Sequence, residues 1–393
     1  MRRRSLLVVG FLGILMLFTS CATSIRVRHL EPAEVDVSAF RNIAIASTER
    51  FDFPFRMPLS SWVKGSADSF FSLTSGFDSS LSAKTAEASG RYLVNAMQNS
   101  GYFTVMGPEV TDAYLTIGKN GENAYAMLKA KGVQALLRSS VSYMNCEEQI
   151  YSRDIKEWVT ENLGDPDKTP IPDVSYEKVT GRAFYLEQQA TVTFTYTFVD
   201  IQSNRIIATR SFTMQEESET YMGKTIYAKD SSTTDRDERG YTSGFAPSFF
   251  PLFDRMVKKI PPQVVRQLSP TWIESRVSLM ANKPKADIGD AYKLAERGAL
   301  QQAYDIFIQS WNRNSHVPSG YNAALLLEGL GRHSEALELM NQVYNRSGDS
   351  RSHAQLLRLK DVSSQQDEAM KQIDGSSVSG EGSVVKKQIV TVE

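Results

Sequence analysis

The sequence predicts an α/β (α+β) layered domain of sheet and helices, followed by an all-α helical-repeat domain. Three observations carry this. In Gln188–Met214 a period of two runs unbroken, with Thr191, Thr193, Thr195 and Thr197 on one side of a strand and Val192, Phe194, Tyr196 and Phe198 on the other. Short strand and helix patterns alternate ahead of this stretch, and near the C-terminus small and apolar residues recur every 33 positions. The chain has 393 residues, 41% of them hydrophobic, enough for a sizeable core in two domains.

The chain opens with an export signal at residues 1–20. Arg2, Arg3 and Arg4 precede an apolar run from Leu6 to Phe18, too short to span a bilayer comfortably, and Cys21 follows. Leu17-Phe18-Thr19-Ser20-Cys21 resembles a bacterial lipobox, which implies lipid on Cys21. The competing reading is an ordinary signal peptide or N-terminal anchor with an incidental cysteine. Removing Arg2, Arg3 and Arg4 takes the 44 basic residues to 41 against 45 acidic, a net charge near −4 with no basic stripe, so nucleic acid is not an expected partner. With Cys21 lipidated, Cys146 is the one remaining thiol and no internal disulfide is available. Cys146 reads as a packed small residue.

Residues 21–40, with Pro32, suit a tether. A layered domain is expected over 41–270, opening with a short strand at Asn42–Ser47. The aromatic, Ser-rich stretch 50–82 reads as a long loop, either functional or folded over the core. A helix over Ala83–Ser100 ends at Gly101, a residue tolerant of positive φ, and the strand Tyr102–Val105 follows. A second helix, Glu122–Lys131, ends at Gly132, and Ala135–Met144 makes the next strand. The hairpin is expected to turn at Asp200–Asn204 and return through Ile206, Ala208, Phe212 and Met214. Two polar excursions flank it: Asn145–Tyr185, which holds Pro166, Pro170 and Pro172, and Glu216–Ala246. Phe249–Leu268 is an amphipathic cover for the sheet, broken at Pro261-Pro262. Trp272–Met280 is expected to continue as a linker helix, giving a linker at 271–285.

Residues 286–373 repeat. Ala303, Ala336 and Ala369 are 33 apart, as are Phe307, Met340 and Ile373; Ala291, Ala324 and Leu357; and Gly298, Gly331 and Ser364. Helix, Gly-containing turn, helix at this period resembles the tetratricopeptide repeat, with GRHSEALELM its best stretch, although Asp287 and Gly320 stand where that family has a large residue. Such stacks present an extended concave surface for peptides. First-helix positions such as Asn322 and Glu328 are expected to line it. Residues 374–393 are expected to be a disordered tail, Gly/Ser-rich and solvated to Ser383, with Val384–Val392 either a disordered end or a strand to add to a sheet edge.

Motifs for chemistry are broken. The four histidines have no ligand spacing. Gly223-Lys224-Thr225 follows an acidic stretch that would repel phosphate, Asp235–Gly240 lacks the closing glutamate of a calcium loop, and Ser61-Trp62-Val63-Lys64 has no partner motif. No cofactor, metal site or catalytic residue is therefore expected, and the chain is not read as an enzyme.

Taken together, the lipobox, the lead-in strand, YLVNAMQNSGYFTVMGPE, GVQALLRSSVSYMN and the long hairpin resemble the curli-export lipoprotein family, CsgG-like, over about Arg41–Leu268. In that family the two excursions beside the hairpin become membrane-spanning β-hairpins, and the subunits form a ring-shaped secretion pore. The first excursion here carries prolines and charges that a spanning strand does not accommodate; the second has a partial pattern in Tyr221–Ala228 and Tyr241–Phe250. The expected function is thus a lipid-anchored periplasmic binding and assembly (adaptor) protein of the outer membrane, which contacts an envelope protein or peptide through its repeats. A subunit of a CsgG-like outer-membrane pore, necessarily a homo-oligomer, is the alternative.

Overall fold

A computed structural model describes residues 23–52, 72–74, 78–118, 124–162, 174–227, 234–237, 243–281 and 288–375. The chain falls into two compact units, one of Phe40–Val265 and one joining the residues up to Ala39 to those from Arg266 onward. The expected signal, Cys21 and the tail from residue 376 lie outside the described residues, and the last helix runs on to Asp374, one residue into the expected tail.

In the first unit, Asn42–Ile45 (β2) is the central strand of a parallel set. The chain leaves it, passes through Leu81–Asn99 (α1), and returns in Thr104–Met106 (β4) on one side. It then runs through Pro108–Gly118 (α2) and Ala124–Ala130 (α3) to Ala135–Asn162 (β5) on the other side. Gly101 and Gly132, at φ 64 and 78, release the chain after α1 and α3. From β5 the sheet is antiparallel, through Val174–Asp200 (β6), Arg205–Tyr227 (β7) and Thr234–Asp237 (β8), in the order β4-β2-β5-β6-β7-β8. Ser72–Thr74 (β3) and Ser243–Phe245 (β9) form a separate parallel pair.

The alternation in β6 sorts as its sequence demands. Val192, Phe194, Tyr196 and Phe198 are all buried, each fully buried large side chain contributing about 2–3 kcal/mol. Phe250–Lys258 (α4) lays Leu252, Phe253, Met256 and Val257 on Val141, Met144, Ala190 and Val192, beside Leu81 and Ala86 of α1. The cover breaks at Lys259-Ile260, and Pro261–Leu268 (α5) restarts with proline in its first turn, where no amide hydrogen is missed.

The first excursion is not a polar loop. Strand β5 continues to Asn162 and β6 begins at Val174, paired residue for residue over the whole length. Twenty-seven residues of strand extend roughly 90 Å. Pro166, Pro170 and Pro172 fall between the two strands, outside the described residues, and so do not interrupt the ladder. The second excursion likewise begins as strand, since β7 pairs with β6 from Asp200↔Arg205 to Thr180↔Tyr227. Bulges at Val141/Tyr143, Phe184/Tyr185 and Phe198/Val199 re-aim the ribbon locally.

In the second unit, Ser24–Glu31 (β1) pairs antiparallel with Thr271–Ser278 (β10). The expected tether is therefore half strand, and the expected linker helix is a strand. Ile25, Val27 and Val277 point inward to a helical core that includes Phe307, Trp311, Ala324 and Met340. The helices are Gly289–Glu296 (α6), Leu300–Asn314 (α7), Val317–Gly329 (α8), His333–Ser347 (α9) and Ser350–Asp374 (α10). Gly298 and Gly331, at φ 79 and 77, make equivalent turns after α6 and α8. Ala303 and Ala336 are buried alike, as are Phe307 and Met340. The third repeat departs from the pattern. Its expected turn at Ser364 lies inside the continuous α10, and Leu357, in the column of Ala291 and Ala324, is 50% exposed.

Candidate interaction surface

Strands β5, β6 and β7 form a ribbon whose side opposite the helices carries hydroxyl, amide and carboxylate side chains paired across strands. In the rows nearest the turn, Ser142 and Thr195 share a hydrogen at 2.9 Å and Thr195 and Ser211 at 2.8 Å; Thr193 and Thr213 do so at 2.9 Å. These hydroxyls satisfy one another across strands, so the face is hydrophilic without needing charge. Further along, Gln149 donates to Glu187 at 2.7 Å and Gln189 to its other oxygen at 3.0 Å. Both bonds favour the ionised form and hold the Glu187 carboxyl below the usual range.

The distal row is aromatic. Tyr151, Tyr185 and Tyr221 are direct cross-strand neighbours, with ring centroids 5.7 Å apart in each pair, the first stacked and the second edge-on. Arg153 lies 5.1 Å from the Tyr151 ring and 4.9 Å from that of Tyr185, and pairs with Glu219 at 2.7 Å. The Tyr151 hydroxyl donates to Glu219, which pushes its pKa up to about 12. These residues were missed in the sequence. The signal was present as tyrosines of one parity at 151 and 185, but it is visible only once the strands are known to extend that far.

Across the sheet on the helix side, polar groups are tied inward. Gln188 is buried and donates to Glu148 and to the Pro247 carbonyl, each at 2.7 Å. Glu216 accepts from Lys259 of the segment after α4, which holds its carboxyl low. The Cys146 thiol is half-buried against this core, and burial, with Glu148 nearby, pushes its pKa up to about 12. A thiol so protonated at neutral pH is a poor nucleophile.

The ribbon has two open edges. Among the described residues, β5 has a neighbour on its outer side only through Ser140, and β7 has one only from Lys224. No group of three His, Cys, Asp or Glu among the described residues is placed to hold a metal.

The two residues expected to line a concave peptide site are buried. Asn322 is 0% exposed; its side chain accepts from the Met280 amide at 2.7 Å and donates to the Met280 carbonyl at 3.1 Å. Glu328 is 1% exposed and is clamped by Arg358 of α10, Nη1 to Oε1 at 2.8 Å. The physical reason is that α8 is enclosed: every residue from Ser319 to Glu328 is buried. Strand β1 lies against the end of α8, where a Cβ built on Gly329 would stand 3.4 Å from the Arg26 carbonyl and from the Ile25 side chain. The chain's own Met280, Tyr292 and Arg358 thus occupy the two side chains that were expected to receive a peptide. Cys21, the expected lipid site, lies outside the described residues.

No family model matches the chain, and no curated protein does. Among solved structures, two crystal forms of the PelC dodecamer from Paraburkholderia phytofirmans are similar at 8% identity and a TM-score of 0.21. They cover 63% and 62% of this chain and 97% of theirs. Likeness at that TM-score says nothing of this chain's fold, partners or assembly.

Proposed function

We propose that the chain is a lipid-anchored adaptor on the periplasmic face of the bacterial outer membrane, held through Cys21, and that its ribbon is the surface that meets envelope proteins. The observation that carries this is the ribbon itself. Strands β5, β6 and β7 run on past the helices that cover them, with a polar face, a tyrosine row and two open edges. An exposed strand edge pairs readily with another chain, and main-chain hydrogen bonds supply the affinity. The helices α6 to α9 we read as two tetratricopeptide-like units, supported by the 33-residue spacing and the matched glycine turns. In this reading they stabilise the N-terminal strand rather than receive a peptide on α8.

A second reading, a ring-shaped pore, is favoured by the two open edges, because an edge of one copy can pair with the other edge of the next and close a circle. Against it stand Gln149–Lys156: Arg153 and Gln149 lie on one side of β5, Asp154 and Lys156 on the other, so both alternations of this stretch carry charge that a lipid-facing belt does not accommodate. The mass of the native protein extracted in detergent separates the two. The adaptor reading expects a monomer or small oligomer and no conductance in planar bilayers, whereas a closed ring of many copies would overturn it. Anchoring is tested separately: Cys21→Ser should abolish labelling by a fatty-acid probe and leave unprocessed precursor, and persisting label would refute it.

A further inference from the structure

The two-stranded sheet of β1 and β10 has an outer side that folding does not explain. Its inner side, Ile25 and Val27 with Val277, packs on the helices. On its outer side Arg26 stands directly across from Arg276, and in the next row of that side Arg28 stands across from Glu274, so the two rows carry three arginines to one carboxylate. Like charges directly opposite on neighbouring strands are destabilising, and within the sheet a single carboxylate, that of Glu274, offsets them. The one acidic residue in these rows, Glu274, lies 3.6 Å from Arg26, leaving Arg28 and Arg276 with no carboxylate within 4 Å among the described residues. At the far end of the same side Trp272, across from Leu30, is 41% exposed.

We propose that this outer side docks on anionic lipid headgroups. The inference rests on the anchoring reading for its orientation. Only Ala22 and Thr23 separate Cys21 from the sheet, and the five residue steps from Cys21 to Arg26 reach at most about 18 Å, so a lipid on Cys21 keeps the first row of arginines near the headgroups. Trp272 then lies four residues, about 13 Å, further along the strand. An indole at that point suits the interfacial layer, where its apolar body and N–H are both satisfied. Lipid at one end, excess guanidinium in the middle and tryptophan at the other end form a footing along one line. Phosphate at this side would offset Arg276, which stands across from Arg26 while Glu274 already pairs with Arg26.

The test uses the mature chain from residue 21 with Cys21→Ser, which carries no lipid, and vesicles of phosphatidylcholine with or without phosphatidylglycerol. Cosedimentation should require phosphatidylglycerol and fade with added salt, as exposed charge interactions do. Arg28→Gln and Arg276→Gln should each weaken binding about 5-fold, and together about 20-fold. Both side chains are exposed, and an unchanged far-ultraviolet spectrum will verify folding. Brominated lipid should quench tryptophan emission in the parent and lose that quenching in Trp272→Phe. Equal binding to both vesicle types, no binding, or quenching that survives Trp272→Phe would overturn the proposal. The two readings fail separately: fatty-acid label on Cys21 without vesicle binding refutes only this footing, and vesicle binding without label refutes only the anchor.

Discussion

Glu328 holds its carboxylate where water does not reach, and one guanidinium balances it. Arg358 grips it with two nitrogens and is itself fixed by Gln355, whose Oε1 accepts from Nε at 2.5 Å. Glu328→Ala should therefore cost about 3 kcal/mol by chemical denaturation, the low end for a broken buried pair because Arg358 is 30% exposed. A loss under half that size would show that water already reaches the pair. Next to it lies His333, buried, with its Nδ1 lacking a hydrogen-bond partner. The groups that face it are His29 of β1, Glu328 of α8 and Arg358 of α10, and burial is the largest influence, lowering its pKa below 6.5. The unfolded chain binds that proton more readily than the folded one. Stability is thus fully present above pH 6.5 and is lost as the pH falls from there toward the lower folded value. Thermal unfolding followed across that window should show the slope in the parent and a shallower one in His333→Gln; identical slopes would remove His333 as the cause.

At the scale of elements, the helix α8 explains why a large residue is missing where the tetratricopeptide pattern has one. A Cβ on Gly320 would meet Val343 Cγ2 at 2.6 Å and Trp311 Cδ2 at 2.8 Å, so Trp311 of α7 fills the space from the other side. Gly320→Ala should destabilise by about 1–3 kcal/mol, an overpacking cost, even though alanine is the better helix former. A variant as stable as the parent would mean that Trp311 can swing away. The same helix shows what the sequence made legible. AALLLEGL is apolar around the whole helix, which marks a central helix and argues against Asn322 and Glu328 facing a ligand. The β6–β7 hairpin was readable because one of its sides buries aromatics. Its continuation was not, since its apolar cluster of Ile150, Phe184, Leu186 and Met222 is drawn from three strands, β5 itself supplying Ile150 alone, and the register is carried over from pairing already set nearer the turn. Strands β1 and β10 pair Glu31 with Thr271, and no local pattern reports a partner that distant. Ser364 fails as a turn for a plainer reason: with no glycine there, α10 continues as one helix.

At the scale of the whole molecule, the open question is whether the ribbon's edges meet another copy of the chain. Proline decides it, because it removes one N–H while leaving the rest of the strand able to pair. Successive residues of an antiparallel strand direct their backbone groups to opposite sides, so of Arg153 and Asp154 one points its N–H at β6 and the other points outward from the open edge. Both sit on the ribbon well past Cys146, the last residue of β5 packed on the core cluster under α1 and α4, so neither substitution touches that core. Of Arg153→Pro and Asp154→Pro, the inward one frays the β5–β6 ladder locally. The outward one leaves that ladder whole and removes only a bond to a neighbour. In the adaptor reading the outward proline leaves the mass of the detergent-extracted protein unchanged and lowers affinity for whichever envelope protein pairs with that edge. In a ring, every copy presents the same defect to the next, and a bond lost at each junction should break a large particle into small ones. A large particle that survives the outward proline would place the contact between copies elsewhere than on this edge of β5, and a small particle in both variants and parent would leave the edge free for a partner other than the chain itself.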